Sequence, residues 1–238
     1  MLGFYDYTVV LTYISFGSAV AGIFCASSMH FRWAVFCLAL SGLCDMFDGK
    51  IARTKKNRTD DEKNFGIQID SLCDMVCFGV LPILICFKMG MNHIYSMAIL
   101  VFYGLAGLIR LAYFNVTEAK RQEESSEARE YYQGLPITSM AIVLPVYVVV
   151  SPVIRNLQVR MGILHVLVMA VGLLFILNFR LKKPAPGQVL ILVGIVALAV
   201  VVIIFVWEGW ISFLRQYLYG IWVQAFRSAS VSVGGRWL

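Results

Sequence analysis

Four aspartates stand in two pairs inside otherwise apolar stretches of this sequence. Asp45 and Asp48 are three residues apart, and Asp70 and Asp74 are four apart. If both stretches are helical, each spacing places its two carboxylates on one face. A carboxylate at the centre of a membrane helix costs about 2.5–3.5 kcal/mol on insertion scales. The two pairs therefore need a compensating partner.

The carboxylate oxygens of these pairs indicate which cation could compensate their charge. Carboxylates this close repel one another, and at least one would be protonated unless a cation lay between them. Oxygen ligands without histidine or cysteine suit Mg²⁺, Mn²⁺ or Ca²⁺ rather than Zn²⁺, and Mg²⁺ typically adds substrate phosphates to one or two carboxylates. The spacing favours a divalent-metal phosphate site. The alternative is an ion pathway or transporter, where intramembrane carboxylates are equally expected.

Small and basic residues beside the aspartates fit a phosphate substrate. Gly49 follows Asp45 by four residues and precedes Arg53 by four, so the three share a helical face. Gly49 leaves room for a ligand near the backbone, and the guanidinium of Arg53 offers a fork for phosphate oxygens. Gly66 precedes Asp70 by four residues and opens the same face of the second stretch.

The elements that position these residues belong to a membrane protein. The chain is 60% hydrophobic and 14% charged, with a mean hydropathy of +0.77, against about 45–50% and about 25% in soluble domains. This composition predicts an all-α, polytopic membrane protein whose net charge of +6 reflects membrane orientation and not nucleic-acid binding. Spans of about 20 residues are predicted over residues 7–27, 33–53, 66–87, 94–114, 135–154, 163–179 and 189–207, with the tail from residue 209 as an interfacial helix or an eighth span.

The distribution of basic residues predicts the orientation. If the loop after residue 53 is cytoplasmic, that side receives eleven of the twenty Lys and Arg residues, and the opposite short loops receive four. This orientation places both aspartate pairs at cytoplasmic helix ends. The N-terminal stretch lacks a basic leader and a cleavage site, so it is predicted to be a retained span. The six cysteines form no C-x-x-C pair and are predicted to be small buried side chains.

The aspartate-containing segments resemble a known motif. The stretch DMFDGKIAR, followed by G and by IDSLCD, resembles the signature D-x2-D-G-x2-A-R-x(n)-G-x3-D-x3-D of the CDP-alcohol phosphotransferase family. The gap 54–65 is four residues longer than is usual in that family and falls in a polar loop. The stretches IRLAYFNV, YYQGLPIT and FGVLP are similar to segments of the branch whose acceptor is L-serine. The fixed positions of the motif are all present, as Asp45, Asp48, Gly49, Ala52, Arg53, Gly66, Asp70 and Asp74.

The resemblance covers about residues 5–185 and implies both a fold and an activity. It implies a six-helix core at 1–185, with an additional span and an amphipathic or membrane-embedded tail at 186–238. It implies transfer of the phosphatidyl group from CDP-diacylglycerol to L-serine, giving phosphatidylserine and CMP, with Mg²⁺ or Mn²⁺ as one or two ions per site. A homodimer in the cytoplasmic membrane, with its active site facing the cytoplasm, is also expected. The nearest alternative is a sister enzyme that uses glycerol-3-phosphate or inositol.

The resemblance also implies roles for single residues. The metal ligands would be Asp45, Asp48, Asp70 and Asp74, and Asp74 would also be the general base. The nucleotide and its diphosphate would be bound by Asp48, Gly49, Arg53, Gly66 and Asp70. Arg110 lies in a predicted span, where it either pairs with an aspartate or reaches the interface, or else anchors the carboxylate of serine or the lipid phosphate. Gly134 and Pro136 would shape the serine pocket.

Overall fold

Helices make up most of the part of the chain that the structure describes. The structure is a computed structural model, and it describes residues 3–52, 54, 55, 57, 59–124, 131–182, 194, 195, 197, 198 and 201. Its α-helices are α1 (Val10–Ser27), α2 (Phe31–Ala52), α3 (Asp60–Asp74), α4 (Leu81–Lys88), α5 (Ile94–Glu124), α6 (Met140–Val150) and α7 (Leu157–Ile176). A π-helical turn, Met75–Val80, joins α3 to α4, and two 3₁₀ turns, Ile137–Ser139 and Ser151–Val153, flank α6.

Several of these helices match the dimensions of a membrane. Among the described residues, four segments are long and apolar enough to cross one: Val10–Ser27, Asp60–Lys88, Ile94–Ala119 and Leu157–Ile176. The shorter apolar segment Ile137–Val153 contains Pro145 within α6. The predicted all-α, multi-pass fold is confirmed. Within the described residues, extended structure is limited to a three-residue antiparallel ladder between β1 (Tyr131–Gln133) and β2 (Arg180–Lys182).

The third predicted span begins earlier than expected. We predicted a start near residue 66, but the helix begins at Asp60. The side-chain hydroxyl of Thr59 caps it by accepting a hydrogen bond from the backbone N–H of Glu62, and the backbone N–H of Thr59 donates one to Oε2 of Glu62. This capping box and the acidic first turn stabilise the N-terminus of the helix. The polar residues that suggested a loop therefore form the first turns of α3.

Three further boundaries differ from the predictions, two of them for local reasons. The fourth span was expected to end at residue 114, but α5 continues to Glu124 through a run of good helix formers. The fifth, expected over 135–154, is an α-helix only from Met140 to Val150. The sixth, expected from 163, begins at Leu157 because the side chain of Asn156 accepts hydrogen bonds from the next turn.

Helices α1 and α2 pack closely through small and hydroxyl residues. The hydroxyl of Ser15 donates to the carbonyl of Ser41 at 3.2 Å, and the hydroxyl of Ser41 donates to the carbonyl of Ser15 at 3.0 Å. A third bond runs from the hydroxyl of Ser18 to the carbonyl of Cys37 at 3.0 Å. Such contacts let membrane helices approach closely and fix their register. They hold α1 against the helix that carries the first aspartate pair.

Gly42 makes a second close helix contact, and its replacement should destabilise the fold. A Cβ at Gly42 would lie 2.5 Å from the Cβ of Ala141 on α6. We expect Gly42→Ala to cost about 1–3 kcal/mol of stability, because the two helices would have to separate. The matched control is Gly17→Ala, where nothing lies within 4 Å of the added methyl. Thermal unfolding in detergent should show a lowered midpoint for Gly42→Ala alone, and equal midpoints would contradict this packing.

The structure describes few residues of the C-terminal part of the chain. The chain separates into two compact units, Met1–Val200 and Val201–Leu238. The predicted span at 189–207 is described only at residues 194, 195, 197, 198 and 201, all of them helical. The tail from residue 209 lies outside the described residues. The predicted boundary between residues 185 and 186 stays a prediction.

Candidate functional site

Three of the four aspartates converge at one point. Asp45 lies on α2, while Asp70 and Asp74 lie on the last turns of α3. One carboxylate oxygen from each lies within 4.8 Å of the other two. In the part of the chain that the structure describes, no other three histidine, cysteine or acidic side chains come together in this way. Helix α1 packs on both α2 and α3, so the site lies where three helices meet.

Asp48 lies beside this trio. It is 8% exposed, and its carboxylate interacts with that of Asp70, while Asp45 interacts with Asp74. The hydroxyl of Thr12 on α1 donates to Oδ2 of Asp48 at 3.4 Å. Thr12 therefore orients Asp48, a contact that sequence reasoning missed because the two residues are far apart in the chain.

The donor set fits a hard divalent cation. Three carboxylate oxygens are ligands that Mg²⁺ and Mn²⁺ accept, and Mg²⁺ would keep positions open for phosphate oxygens. The thiols beside them are engaged with α1: Sγ of Cys73 donates to the carbonyl of Thr12 at 3.3 Å, and Sγ of Cys77 lies 3.5 Å from Oγ of Ser15. All six cysteines are free, and all but Cys25 are buried, as their apolar surroundings predicted.

The helix changes its winding directly after Asp74. The π turn Met75–Val80 starts at the next residue, and its carbonyl at Phe78 accepts a hydrogen bond from the hydroxyl of Tyr103 on α5. Turns of this kind are rare and often occur at functional sites. The wider turn changes the angular position of the side chains that follow Asp74 relative to those that precede it. The sequence carries no simple signal for it.

The residues predicted to bind the nucleotide are described only in part. Gly49 and Gly66 are half-buried, and they lie near the end of α2 and one turn before Asp70 on α3. Both therefore lie near the carboxylates, as their spacing required. Arg53 lies outside the described residues, so its role stays a prediction.

An ionic cluster ties the start of α1 to the loop between α2 and α3. Nζ of Lys55 lies 2.8 Å from Oδ2 of Asp6 and 3.0 Å from Oε1 of Glu62. Asp6 also accepts a hydrogen bond from the backbone N–H of Thr8 at 2.7 Å. The hydrogen bond from Lys55, helped by those from Thr8, lowers the pKa of Asp6 to about 2. Asp6 is thus ionised at neutral pH and holds the polar loop against α1.

Arg110 lies on α5 and lines a cavity. The residue is 8% exposed, and its Nε donates to the carbonyl of Leu135 at 3.0 Å. The cavity has a volume of about 210 Å³. Its lining residues are Ile109, Arg110, Tyr113, Phe175, Ile176, Leu177 and Asn178. A buried cation among apolar side chains is a good anchor for a small anion.

Gly134 and Pro136 shape the loop that Arg110 holds. Gly134 has φ +70, and a Cβ there would lie 3.0 Å from the carbonyl oxygen of Leu177. Its N–H donates to the carbonyl of Phe179 at 2.7 Å. Pro136 immediately precedes the 3₁₀ turn Ile137–Ser139. The loop therefore follows the end of α7, which contributes much of the lining of the cavity.

This arrangement agrees with comparisons to known proteins. Residues 8–176 match the CDP-alcohol phosphatidyltransferase family. The match covers well over half of the chain, and the chain belongs to that family. The resemblance inferred from the aspartate motif is confirmed.

Individual relatives carry a more specific name. The chain is 41% identical over 118 residues to the CDP-diacylglycerol–serine O-phosphatidyltransferase of Saccharomyces cerevisiae, which is 48% of this chain and 41% of that protein. It is 32% identical over 161 residues to the protein of the same name from Helicobacter pylori, covering 66% and 64% of the two chains. For the Bacillus subtilis protein of that name the values are 30% over 112 residues, 45% and 61%. The chain thus spans about two fifths to two thirds of the length of these relatives.

Proposed function

We propose that the protein transfers the phosphatidyl group of CDP-diacylglycerol to the hydroxyl of L-serine, giving phosphatidylserine and CMP. The observation that carries this proposal is the convergence of Asp45, Asp70 and Asp74 at one point. The names of the relatives support the choice of both substrates. Membership of the family supports the class of reaction.

The carboxylates would hold Mg²⁺ or Mn²⁺, as one or two ions. Asp45, Asp70 and Asp74 supply converging oxygens, and Asp48 adds a fourth carboxylate beside Asp70. When bound, the cation would neutralise charge on the diphosphate, which favours cleavage without proton transfer to the leaving group. The hydrogen bond from Thr12 keeps Asp48 turned toward α1 and the site.

Asp74 is proposed as the general base. The serine hydroxyl is a weak nucleophile, and a carboxylate that removes its proton strengthens it. The hydroxyl oxygen forms a new bond to the phosphorus of the phosphatidyl group, and the bond from that phosphorus to the oxygen shared with CMP breaks. CMP leaves with the electron pair, and the proton goes to Asp74. The position of Asp74 at the end of α3, next to Asp45, supports this assignment.

The nucleotide would lie along the faces of α2 and α3 next to the carboxylates. Gly49 and Gly66 leave room for it there, and Arg53 would bind phosphate oxygens. Asp48 and Asp70 would contribute to the same subsite through their position between the glycines and the trio. Asp45 and Asp48 lie close to the end of α2, whereas Asp70 and Asp74 lie inside the continuous helical segment Asp60–Lys88 and not at its end as predicted. Placement near the end of α2 would let the acyl chains stay in the bilayer while CMP exchanges with water.

Arg110 is proposed to anchor the carboxylate of serine or the phosphate of the lipid, with Gly134 and Pro136 shaping the wall of the cavity. We expect Arg110→Ala to raise the KM for one substrate about tenfold or more, since hydrogen bonds to charged groups are worth about 1.5–3 kcal/mol. A rise confined to serine would place Arg110 on the acceptor, and one confined to CDP-diacylglycerol would place it on the lipid. Arg155→Ala, at an exposed arginine, is the control. An unchanged KM for both substrates would remove Arg110 from the site.

The proposed location and assembly follow from the family and the charge pattern. We place the protein in the cytoplasmic membrane, with the aspartates on the cytoplasmic side, because that side would receive most of the basic residues. We also propose a homodimer. Single cysteines in the loops, labelled from either side of intact vesicles, would test the orientation, and light scattering of the purified protein would test the dimer.

One assay tests the proposed reaction directly. Purified protein is incubated with CDP-diacylglycerol, Mn²⁺ or Mg²⁺ and isotopically labelled serine, and both CMP and labelled phosphatidylserine are measured. Equal amounts of the two products are expected. CMP formation with glycerol-3-phosphate or inositol in place of serine would identify a sister enzyme. Ion flux in proteoliposomes without CMP formation would identify a transporter.

A further inference from the structure

A side-chain hydrogen bond links the catalytic helix to α5. The hydroxyl of Ser71, on α3, donates to Oδ1 of Asn115 on α5 at 2.8 Å. Both side chains are half-buried. Ser71 follows Asp70 directly and precedes Asp74 by three residues, so Ser71 and Asp74 lie on the same side of α3. Asn115 is therefore about one helical turn from the proposed base.

The hydrogen bond uses only the oxygen of the Asn115 amide. An asparagine amide has two N–H donors in addition to its carbonyl oxygen. Among the residues that the structure describes, no protein acceptor lies within hydrogen-bonding distance of these N–H groups. Water can satisfy these donors in the free protein, and an anionic oxygen of a bound ligand can take the place of that water. The half-buried position leaves the amide nitrogen accessible to a substrate.

A neutral donor suits this position better than a cationic one. Asp70 and Asp74 lie on the adjacent helix, and a lysine or arginine there would form ion pairs with them and compete with the bound cation. An amide donates to an anionic oxygen without neutralising the carboxylates. Arg110, a cationic side chain of the same helix, contacts the loop at Leu135 and lines the cavity instead.

We propose that Asn115 is a further substrate-binding residue, whose side-chain amide nitrogen donates a hydrogen bond to an anionic oxygen of a substrate held at Asp70 and Asp74. This proposal rests on the proposed function, because it needs a substrate at that point. The oxygen belongs either to the carboxylate of the amino-acid acceptor or to the diphosphate of the liponucleotide. The competing explanation is that Asn115 only fixes the distance between α3 and α5.

Three substitutions separate these explanations. Ser71→Ala removes the link between the helices and keeps the amide donors. Asn115→Leu removes the link and the donors while keeping the branching at Cγ, and Asn115→Asp retains an oxygen for Ser71 while removing the donors. We expect both Asn115 variants to raise the KM for one substrate about tenfold or more, and Ser71→Ala to change it less than threefold. Asn92→Asp, at an exposed loop position, is the control.

The outcome also identifies the substrate oxygen. A rise in KM for serine alone places the bond on the acceptor carboxylate, and a rise for CDP-diacylglycerol alone places it on the diphosphate. If Ser71→Ala impairs the enzyme as much as Asn115→Leu, or if both Asn115 variants keep both KM values, the proposal is overturned. Binding of CDP-diacylglycerol and of serine, measured by thermal shift on each variant, gives the same comparison without turnover. A protein that binds these ligands but forms no CMP would contradict the proposed reaction, while the Asn115 comparison would still decide this inference.

Discussion

Replacing Asp74 by asparagine should abolish phosphatidyl transfer while leaving the binding of CDP-diacylglycerol largely intact. The carboxamide has the same shape and keeps one oxygen toward Asp45, but it cannot accept the proton of the serine hydroxyl. General-base catalysis typically contributes about 10²–10⁴-fold to a rate. We therefore expect kcat for CMP formation to fall by about that factor. The measurement is steady-state CMP release with labelled serine, paired with a direct binding assay for the liponucleotide.

An exposed aspartate on the same helix provides the control for Asp74→Asn. Asp61→Asn changes an exposed aspartate in the first turn of the same helix and should leave turnover unchanged. Turnover retained in Asp74→Asn would remove its role as base. Loss of CDP-diacylglycerol binding together with turnover would show that Asp74 acts mainly as a metal ligand.

The helical faces of the site were predictable from the chain alone. Spacings of three and four residues placed Asp45 with Asp48 and Asp70 with Asp74, because an α-helix returns to the same side at those intervals. The apolar residues around them predicted membrane helices, and the structure has helices there. Periodicity of this kind depends only on local geometry, which is why it could be read without a structure.

Other features depend on contacts between distant parts of the chain. The hydrogen bond from Thr12 to Asp48 and the link from Ser71 to Asn115 join residues that no periodic pattern connects. Lys55 lies in the polar loop before α3, and it bridges Asp6 and Glu62. Such pairs follow from how the helices pack, and packing is set by the whole molecule.

The starts of α3 and α7 are marked in the sequence by capping residues. The sequence Thr59-Asp-Asp-Glu62 is a capping box, and it would have placed the start of α3 correctly. Asn156 is likewise a favourable capping residue before α7. The predicted spans followed hydropathy instead, and hydropathy places the end of a helix at the first run of polar residues. Membrane helices that extend into water are therefore shortened by such a search, as α3, α5 and α7 show.

Removing the divalent cation should stop the reaction completely, and the aspartate trio should determine how tightly the cation is held. We expect chelation with EDTA to abolish CMP formation and added Mn²⁺ or Mg²⁺ to restore it. Asp45→Asn and Asp70→Asn should each raise the metal concentration needed for half-maximal activity, because each loses one charged oxygen ligand. Even an outer-shell partner of a metal ligand typically contributes about 10–100-fold to metal affinity, so we expect a rise of at least about tenfold.

A metal titration of Asp48→Asn tests whether one ion or two ions are bound. Asp48 lies beside Asp70 and is turned by Thr12, whereas the three converging oxygens belong to Asp45, Asp70 and Asp74. If one ion at the trio dominates, Asp48→Asn should shift the metal titration less than Asp45→Asn does. An equal shift would instead indicate a second ion shared by Asp48 and Asp70. Unchanged titrations in all three variants, with Asp61→Asn as the reference, would show that these carboxylates hold no metal, and the proposed reaction would lose the observation on which it depends.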